Sequence, residues 1–302
     1  MSSFLKLFEN KGDVEAQQFT ALVLGVATLI IILLKMKLTR YPNLTKSFSS
    51  FPVLSTRVVA SGGARPIVFI TLGVSTKELP TGAHVKTRTV VDGKEVMRAY
   101  TPTKFTEGVC ELMIRVYEEG PMSNYLYKLE KGDRVEMMGP TGLHRYGPTP
   151  GLFKNGKKEM RCRKIGMLAG GTGVTPMLQI MNSVLTNKSD ATEIELVVFN
   201  TSAKDVMMYE RLTQMADESK GQFKITFVVS KAVTADERKQ LGGREYEVLS
   251  MRNMGKADIL AKLGLKGEGA GPGEEVICMC GPDQFCKKIK GELKGMDNVL
   301  CW

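Results

Sequence analysis

The stretch Gly170-Gly171-Thr172-Gly173-Val174-Thr175-Pro176 has residue types suited to a phosphate-bearing ligand. An apolar run, Lys164–Ala169, leads into it as a short strand. A helical pattern, Pro176–Leu185, leads out, with the proline suited to the first helical turn. In that context glycines let the backbone approach a pyrophosphate, and the dipole of the following helix favours its negative charge. The spacing G-x-G-x-x-P is not the common dinucleotide fingerprint. No acidic residue closes the second strand, Ile194–Phe199, where a ribose carboxylate normally stands, and the nearest one along the chain is Asp205.

A second constellation is Cys278-Met279-Cys280-Gly281-Pro282-Asp283, at the end of a later strand, Val276–Met279. Ligands of open α/β sheets bind beyond strand C-termini, which puts Cys280 where a flat ring could lie. A buried core cysteine would read the same way. Three more pieces lie earlier. Arg98-Ala99-Tyr100-Thr101-Pro102 offers an arginine for a pyrophosphate, an aromatic to pack on a ring and a hydroxyl for its edge. Gly120-Pro121-Met122-Ser123-Asn124-Tyr125-Leu126 is a glycine loop entering a short helix, which fits phosphate binding or an ordinary helix capped by Ser123. Gly139-Pro140-Thr141-Gly142 reads as a turn that ends a strand.

These pieces need two kinds of scaffold. Runs rich in Val, Ile, Thr and Tyr at Pro66–Leu72, Val85–Val91, Leu112–Tyr117 and Arg134–Met138 are separated by Gly- and Asp-containing turns. Strands so spaced, with no long helix, predict a closed antiparallel β-barrel over 41–151. After a linker at 152–163, the strands Lys164–Ala169, Ile194–Phe199, Lys224–Val229 and Val276–Met279 alternate with helices. That alternation predicts a parallel-sheet α/β domain over 164–302.

From Ala16 to Leu34 no residue is charged, and at roughly 1.5 Å per residue the run is about as long as a hydrocarbon core is thick. It predicts a transmembrane anchor within residues 1–40. Lys35, Lys37, Arg40 and Lys46 follow it, which places the larger part on the cytosolic side. The six cysteines contain no C-x-x-C pair and only two histidines accompany them, so no metal centre is expected. The net charge of +10 suits an acidic partner or anionic lipid, and no zinc-finger or RNA-binding signature supports nucleic acid.

In their order along the chain the motifs resemble the ferredoxin-reductase superfamily, and within it the NADH–cytochrome b5 reductase family, from about Leu54 onwards. The resemblance implies an FAD domain followed by a nucleotide domain, with FAD and NADH as cofactors. Arg98, Tyr100 and Thr101 match the R-x-Y-[ST] flavin motif: Arg98 on the pyrophosphate, Tyr100 packed on the ring, Thr101 near flavin N5. Arg115, Val116 and Tyr117 match the next flavin-contacting strand, with Arg115 where a lysine that helps bind NADH is usual. Met122 and Ser123 match the second pyrophosphate contact. Gly170, Gly171, Thr172, Gly173, Thr175 and Pro176 match the nicotinamide loop, and Cys280, Gly281 and Pro282 the C-G-P motif beside the nicotinamide. Asn200-x-Ser202-x-x-Asp205 matches the segment that selects NADH, with Asp205 as the carboxylate that would repel a 2′-phosphate. The chain departs from the family at Phe199, where a small residue is usual, at Phe285 in place of methionine, and at Trp302 in place of phenylalanine.

Hydride transfer from NADH to FAD and onward single-electron transfer to cytochrome b5, or a similar acidic haem protein, is the activity implied. Thr101 and Cys280 would lie at the reacting atoms. His84 is expected to be a packed polar residue. The enzyme would work as a monomer anchored to the endoplasmic reticulum or outer mitochondrial membrane, facing the cytosol. Two rival readings are a related reductase serving another haem protein or a desaturase, and a redox-silent dinucleotide-binding scaffold. The scaffold would not need the flavin motifs.

Overall fold

The computed structural model describes residues 20–31, 41–59, 65–231, 246–249, 254–267, 271 and 273–302. The chain divides into two units, residues 1–41 and 42–302. In the first, residues 20–31 form a helix, α1, with its side chains exposed. The remainder of the expected span, 16–19 and 32–34, lies outside the described residues. Among the described residues no helix is long and apolar enough to cross a membrane.

The second unit opens with a seven-stranded antiparallel sheet. Its strands are β1 (Ser49–Val59), β2 (Ile67–Leu72), β3 (His84–Val91), β4 (Lys94–Tyr100), β5 (Lys104–Thr106), β6 (Val109–Arg115) and β7 (Arg134–Thr141), in the order β4-β3-β7-β1-β2-β6-β5. Strand β1 serves both halves. Ser49–Pro52 pairs with β7, and after an irregularity between Val53 and Ser55 the strand pairs with β2. This bend curls the sheet around a core of Phe51, Val68, Ile70, Val85, Leu112 and Met137. Helix α2 (Pro121–Tyr127) plugs that core with Met122 and Leu126.

The expected closure into a barrel is not made by hydrogen bonds among the described residues: β4 and β5 remain edges. The reason is local. Pro102 has no N–H to give, and the Thr103 N–H is spent on the Glu111 carbonyl at 2.9 Å, which starts the β5–β6 pairing instead. The free edge leaves Arg98–Thr101 open on one side.

Residues 144–161, which include most of the expected linker, form a three-stranded antiparallel sheet from β8 (His144–Tyr146), β9 (Leu152–Asn155) and β10 (Lys158–Arg161). A six-stranded parallel sheet follows, β14-β13-β12-β11-β15-β16, from β11 (Lys164–Gly170), β12 (Glu193–Asn200), β13 (Phe223–Val229), β14 (Tyr246–Val248), β15 (Glu275–Cys280) and β16 (Val299–Cys301). Every pairing in it is parallel. Both faces are covered, which is why its central strands are apolar nearly throughout. On one face Met167, Leu196 and Cys278 pack under α3 (Val174–Thr186) and α4 (Tyr209–Glu218). On the other, Leu168, Val197 and Ile277 meet α5 (Lys256–Lys262) and α6 (Asp283–Glu292).

The two sheets share core. Ile67, Phe69 and Met113 of the first lobe belong to one buried cluster with Val174 and Met177 of α3. Gln179 stitches the lobes as well, accepting from the Gly82 N–H at 3.0 Å and donating to the Pro102 carbonyl at 3.3 Å. The connections leaving β11 and β15 run in opposite directions across the sheet. Their C-terminal ends, Gly170 and Cys280, therefore flank the crevice where ligands of such sheets bind.

Candidate functional site

Two cavities open at that crevice. The first, about 350 Å³, collects segments far apart in sequence: Arg98–Thr101, Met113–Arg115, Gly120–Ser123, Thr172, Gly173, Thr175, and Cys280-Gly281. The second, about 290 Å³, is lined by Gly170, Gly171, Phe199, Asn200, Pro282 and Phe285 among others. Arg115 and Tyr117 line both and stand between them.

Close packing explains the glycines. A Cβ on Gly173 would overlap the Cys280 carbonyl, and one on Gly281 would lie 2.7 Å from the Phe285 ring and 3.1 Å from the Gly170 Cα. The ends of β11 and β15 can approach each other only without side chains there. Gly171 is required for its backbone, with φ of +54°.

Most polar groups of the first cavity already have partners in the chain. Ser123 accepts from the Tyr117 N–H at 3.1 Å and donates to the Gly120 carbonyl at 3.0 Å. Thr175 donates to the Thr172 carbonyl at 3.1 Å. Arg98 is exposed at the rim, and its Nη1 donates to the Met97 carbonyl at 2.8 Å. Burial raises the Tyr100 hydroxyl well above its ordinary value, so the phenol stays protonated. Burial likewise pushes the Cys280 thiol up to about 12, so it presents a neutral S–H and not a thiolate.

The chain's last residue closes one wall. Trp302 donates from its backbone N–H to the Met279 carbonyl at 3.0 Å and from Nε1 to the Gly82 carbonyl at 2.8 Å, and its ring packs on His144 at 4.8 Å. His144 Nε2 bonds the Cys301 carbonyl at 3.0 Å. Both histidines of the chain thus lie near this wall, and His84 itself lines the first cavity. Burial, followed by the charge of Arg145, holds the His84 imidazole below its usual value. The sequence led only to the expectation of a packed polar residue at His84, because one histidine in a strand carries no spacing signal; the fold brings it to the cavity wall as well.

The second cavity differs. Arg115 reaches across from β6 and places Nη1 3.4 Å from an Asp205 carboxylate oxygen and Nη2 2.9 Å from the Asp205 carbonyl. Ser202 donates to the same carboxylate at 2.8 Å. Asp205 is thereby engaged and lines neither cavity. Phe199 and Phe285, two of the unusual residues in the sequence, pack on each other at 5.4 Å between centroids.

Of the residues to which the resemblance gave a cofactor or catalytic role, three lie off the cavity walls: Val116, in the first lobe's core, Pro176, buried in α3, and Asp205. All the others line one cavity or the other. Asn200, Thr201 and Ser230 line the second cavity at the ends of β12 and β13, and Arg65 reaches it too. Asn200 was marked by the segment it shares with Asp205; only a position at strand C-termini could have marked Thr201 and Ser230.

The chain matches two protein families: the oxidoreductase FAD-binding domain over residues 58–146 and the oxidoreductase NAD-binding domain over residues 167–291. It is 36% identical over 218 residues to NADH-cytochrome b5 reductase 1 of Dictyostelium discoideum, covering 72% of this chain and 66% of that protein. It is 29% identical over 278 residues to NADH-cytochrome b5 reductase 1 of Kluyveromyces lactis, covering 90% and 89%. Among solved structures, the cytochrome b5 reductase domain of Ulva prolifera nitrate reductase superposes with a TM-score of 0.71 at 29% identity, covering 86% of this chain and all of that one.

Proposed function

Given that this chain belongs to the family of FAD- and NAD-binding oxidoreductases of the cytochrome b5 reductase type, we propose that it moves a hydride from NADH to FAD and hands the electrons singly to cytochrome b5. The observation that carries this reading is convergence: five segments between Arg98 and Gly281 wall one cavity, with a second beside it.

The residues of the first cavity fit a flavin. Arg98 at the rim, with Met122 and Ser123, would hold the pyrophosphate, and Tyr100, Thr101 and Thr175 would hold the ring. The phenol of Tyr100, kept neutral by burial, can pack on a flat heterocycle without competing for its electrons. Bound there, FAD supplies the two-electron acceptor and one-electron donor that the chain itself lacks. The chain's own work is to orient and to exclude water. The neutral Cys280 thiol would adjoin the nicotinamide without offering a nucleophile. Trp302 shields one wall, and the Arg115–Asp205 pair holds the two lobes in register. Among the described residues no group of histidine, cysteine, aspartate or glutamate side chains could hold a metal ion.

The anchor belongs to this proposal. On α1 the side chains of Leu22, Leu24 and Ile31 are all more than half exposed, as lipid contact would require, and the charged stretch after residue 34 supports a cytosolic orientation on the endoplasmic reticulum or outer mitochondrial membrane. A partner on the same membrane gains effective concentration, and the net charge of +10 steers an acidic haem protein.

The test is the visible spectrum of the purified chain, followed by NADH without oxygen. A yellow protein that bleaches on addition is the expected outcome, and a colourless chain that takes up no FAD refutes the reading. For the acceptor, turnover with cytochrome b5 should fall as salt rises while turnover with a neutral dye stays level. Equal salt dependence would remove the electrostatic docking.

A further inference from the structure

The six cysteines are free thiols in two groups. Cys110, Cys162 and Cys278 are buried within the lobe cores. Cys280, Cys286 and Cys301 are only partly buried, and the fold draws them to one junction of the second lobe. Strand β15 ends at Cys280, and β16 runs beside it with Cys301 opposite Met279. Helix α6 starts just beyond, with Cys286 one turn in and its thiol donating to the Gly281 carbonyl at 3.5 Å. Lys290 follows Cys286 by four residues, so the two share a face of α6. Both side chains of that face hydrogen-bond the Cys301 thiol, and the lysine is exposed while the two thiols are half-buried.

This arrangement sets the two sulfurs apart. A hydrogen bond from the Cys286 S–H and the charge of Lys290 hold the Cys301 thiol well below its ordinary value, against the opposing effect of burial. The same bond and burial push the Cys286 thiol up, so it keeps its proton. With Cys301 protonated, its S–H faces the Trp302 carbonyl at 3.8 Å and that of Cys286 faces Gly281. Once Cys301 ionises, the Cys286 proton can turn to it. A thiolate beside a protonated thiol, both open to small molecules, is the division of labour of an attacking and a resolving cysteine.

We propose that Cys301 and Cys286 form a modification site for hydrogen peroxide, with Cys301 as the attacking sulfur and Cys286 as the resolving one. The Cys301 thiolate bonds to one peroxide oxygen and the O–O bond breaks. Cys301 becomes a sulfenic acid, and the departing hydroxide takes up the proton that Cys301 released. The Cys286 sulfur then displaces the sulfenic hydroxyl, an S–S bond forms, and water leaves with the Cys286 proton. Peroxide is reduced to two waters as two thiols are oxidised to a disulfide. The new bond would tie α6, whose Phe285 lines the second cavity, to the strand that ends in Trp302 on the wall of the first.

The experiment treats the full chain, with FAD added, with equimolar hydrogen peroxide, alkylates the remaining thiols and maps the digest by mass spectrometry. The expected product is a peptide pair joined through Cys286 and Cys301 that dithiothreitol separates, with Cys110, Cys162 and Cys278 still alkylated after denaturation. Cys286→Ser should leave a sulfenic acid on Cys301 that dimedone traps, and Cys301→Ser should give neither product. Lys290→Gln should slow alkylation of Cys301 roughly tenfold, the loss of thiolate that one pKa unit brings. Cys301 left reduced, or joined to Cys280 in place of Cys286, overturns the proposal. Cys301 carried on to sulfinic acid without joining removes Cys286 from its role. The joined pair is read in the unaltered chain, so it does not depend on the variants folding. It needs no flavin colour either, so a colourless chain would refute the proposed function and leave this result standing.

Discussion

The two cavities at the lobe junction share Arg115 and Tyr117 yet are built on opposite terms. In the first, Ser123, Thr175 and Trp302 spend their hydrogen bonds on the chain's own backbone, and the wall stands preformed. In the second, the Asn200 amide and Arg115 Nε are shielded from water and have no hydrogen-bond partner among the described residues. A resident cofactor is served by a wall that is rigid without it. A substrate that must arrive and leave is served by groups whose bonding is completed only on arrival, because the unpaired state raises the free energy of the empty site and sharpens binding.

Substitutions can break this contrast. Gly173→Ala has the largest expected effect, since its Cβ would overlap the Cys280 carbonyl and wedge apart the strand ends that both cavities share. Overpacking of this kind costs about 1–3 kcal/mol. The protein should lose thermal stability and flavin together, and a normal melting temperature with full flavin content would show that the strand ends can separate freely.

Arg115→Met comes next, because it strands Asp205, whose side chain is 12% exposed, without its cation. A loss of about 1–3 kcal/mol is expected in denaturant unfolding. Adding Asp205→Asn should recover part of it, and strict additivity in that cycle would mean the lobes are not held by the pair.

Thr101→Val sharpens the description of the first cavity. One hydrogen bond of about 0.5–1.5 kcal/mol corresponds to a two- to tenfold slower reduction of bound flavin by NADH, read by stopped flow. An unchanged rate would leave Thr101 as part of the wall alone.

The smallest effect concerns His84. Its folded-state value lies below the ordinary 6.5, so the unfolded chain binds its proton more readily. The stability it contributes is present above pH 6.5 and is lost as pH falls below that value. His84→Gln should flatten the decline in melting temperature between pH 7 and 5, and an equally steep decline would assign the slope to other groups.

Much of the site was legible in the chain because its parts are local. Arg98-x-Tyr100-Thr101, Met122-Ser123, the glycine loop at 170 and Cys280-Gly281-Pro282 each sit on a strand end or loop whose position follows from apolar periodicity. The strands Ser49–Val59 and Lys94–Tyr100 were harder to foresee. The first bends to serve two partners, and the second is a largely exposed edge without clean alternation. The hairpin at 152–161 was hidden for a similar reason: two strands of four residues leave too little periodicity to count.

The sequence by itself determined the order of the two lobes, the parallel sheet and the motif residues that line the cavities, since these depend on local patterning and on glycine's freedom at fixed points. Which carboxylate faces a ligand was decided by tertiary structure alone. Asp205 had the right type at a plausible spacing, but Arg115, ninety residues earlier in the chain, reaches across the lobe junction and claims it. Asn200 enters the sequence reading only as the head of the segment that ends in Asp205, and only the fold shields its amide from water beside an open cavity. A side chain's chemistry is written at its own position. Its partners are set by whatever the fold brings within about 3 Å, and sequence spacing does not carry that distance.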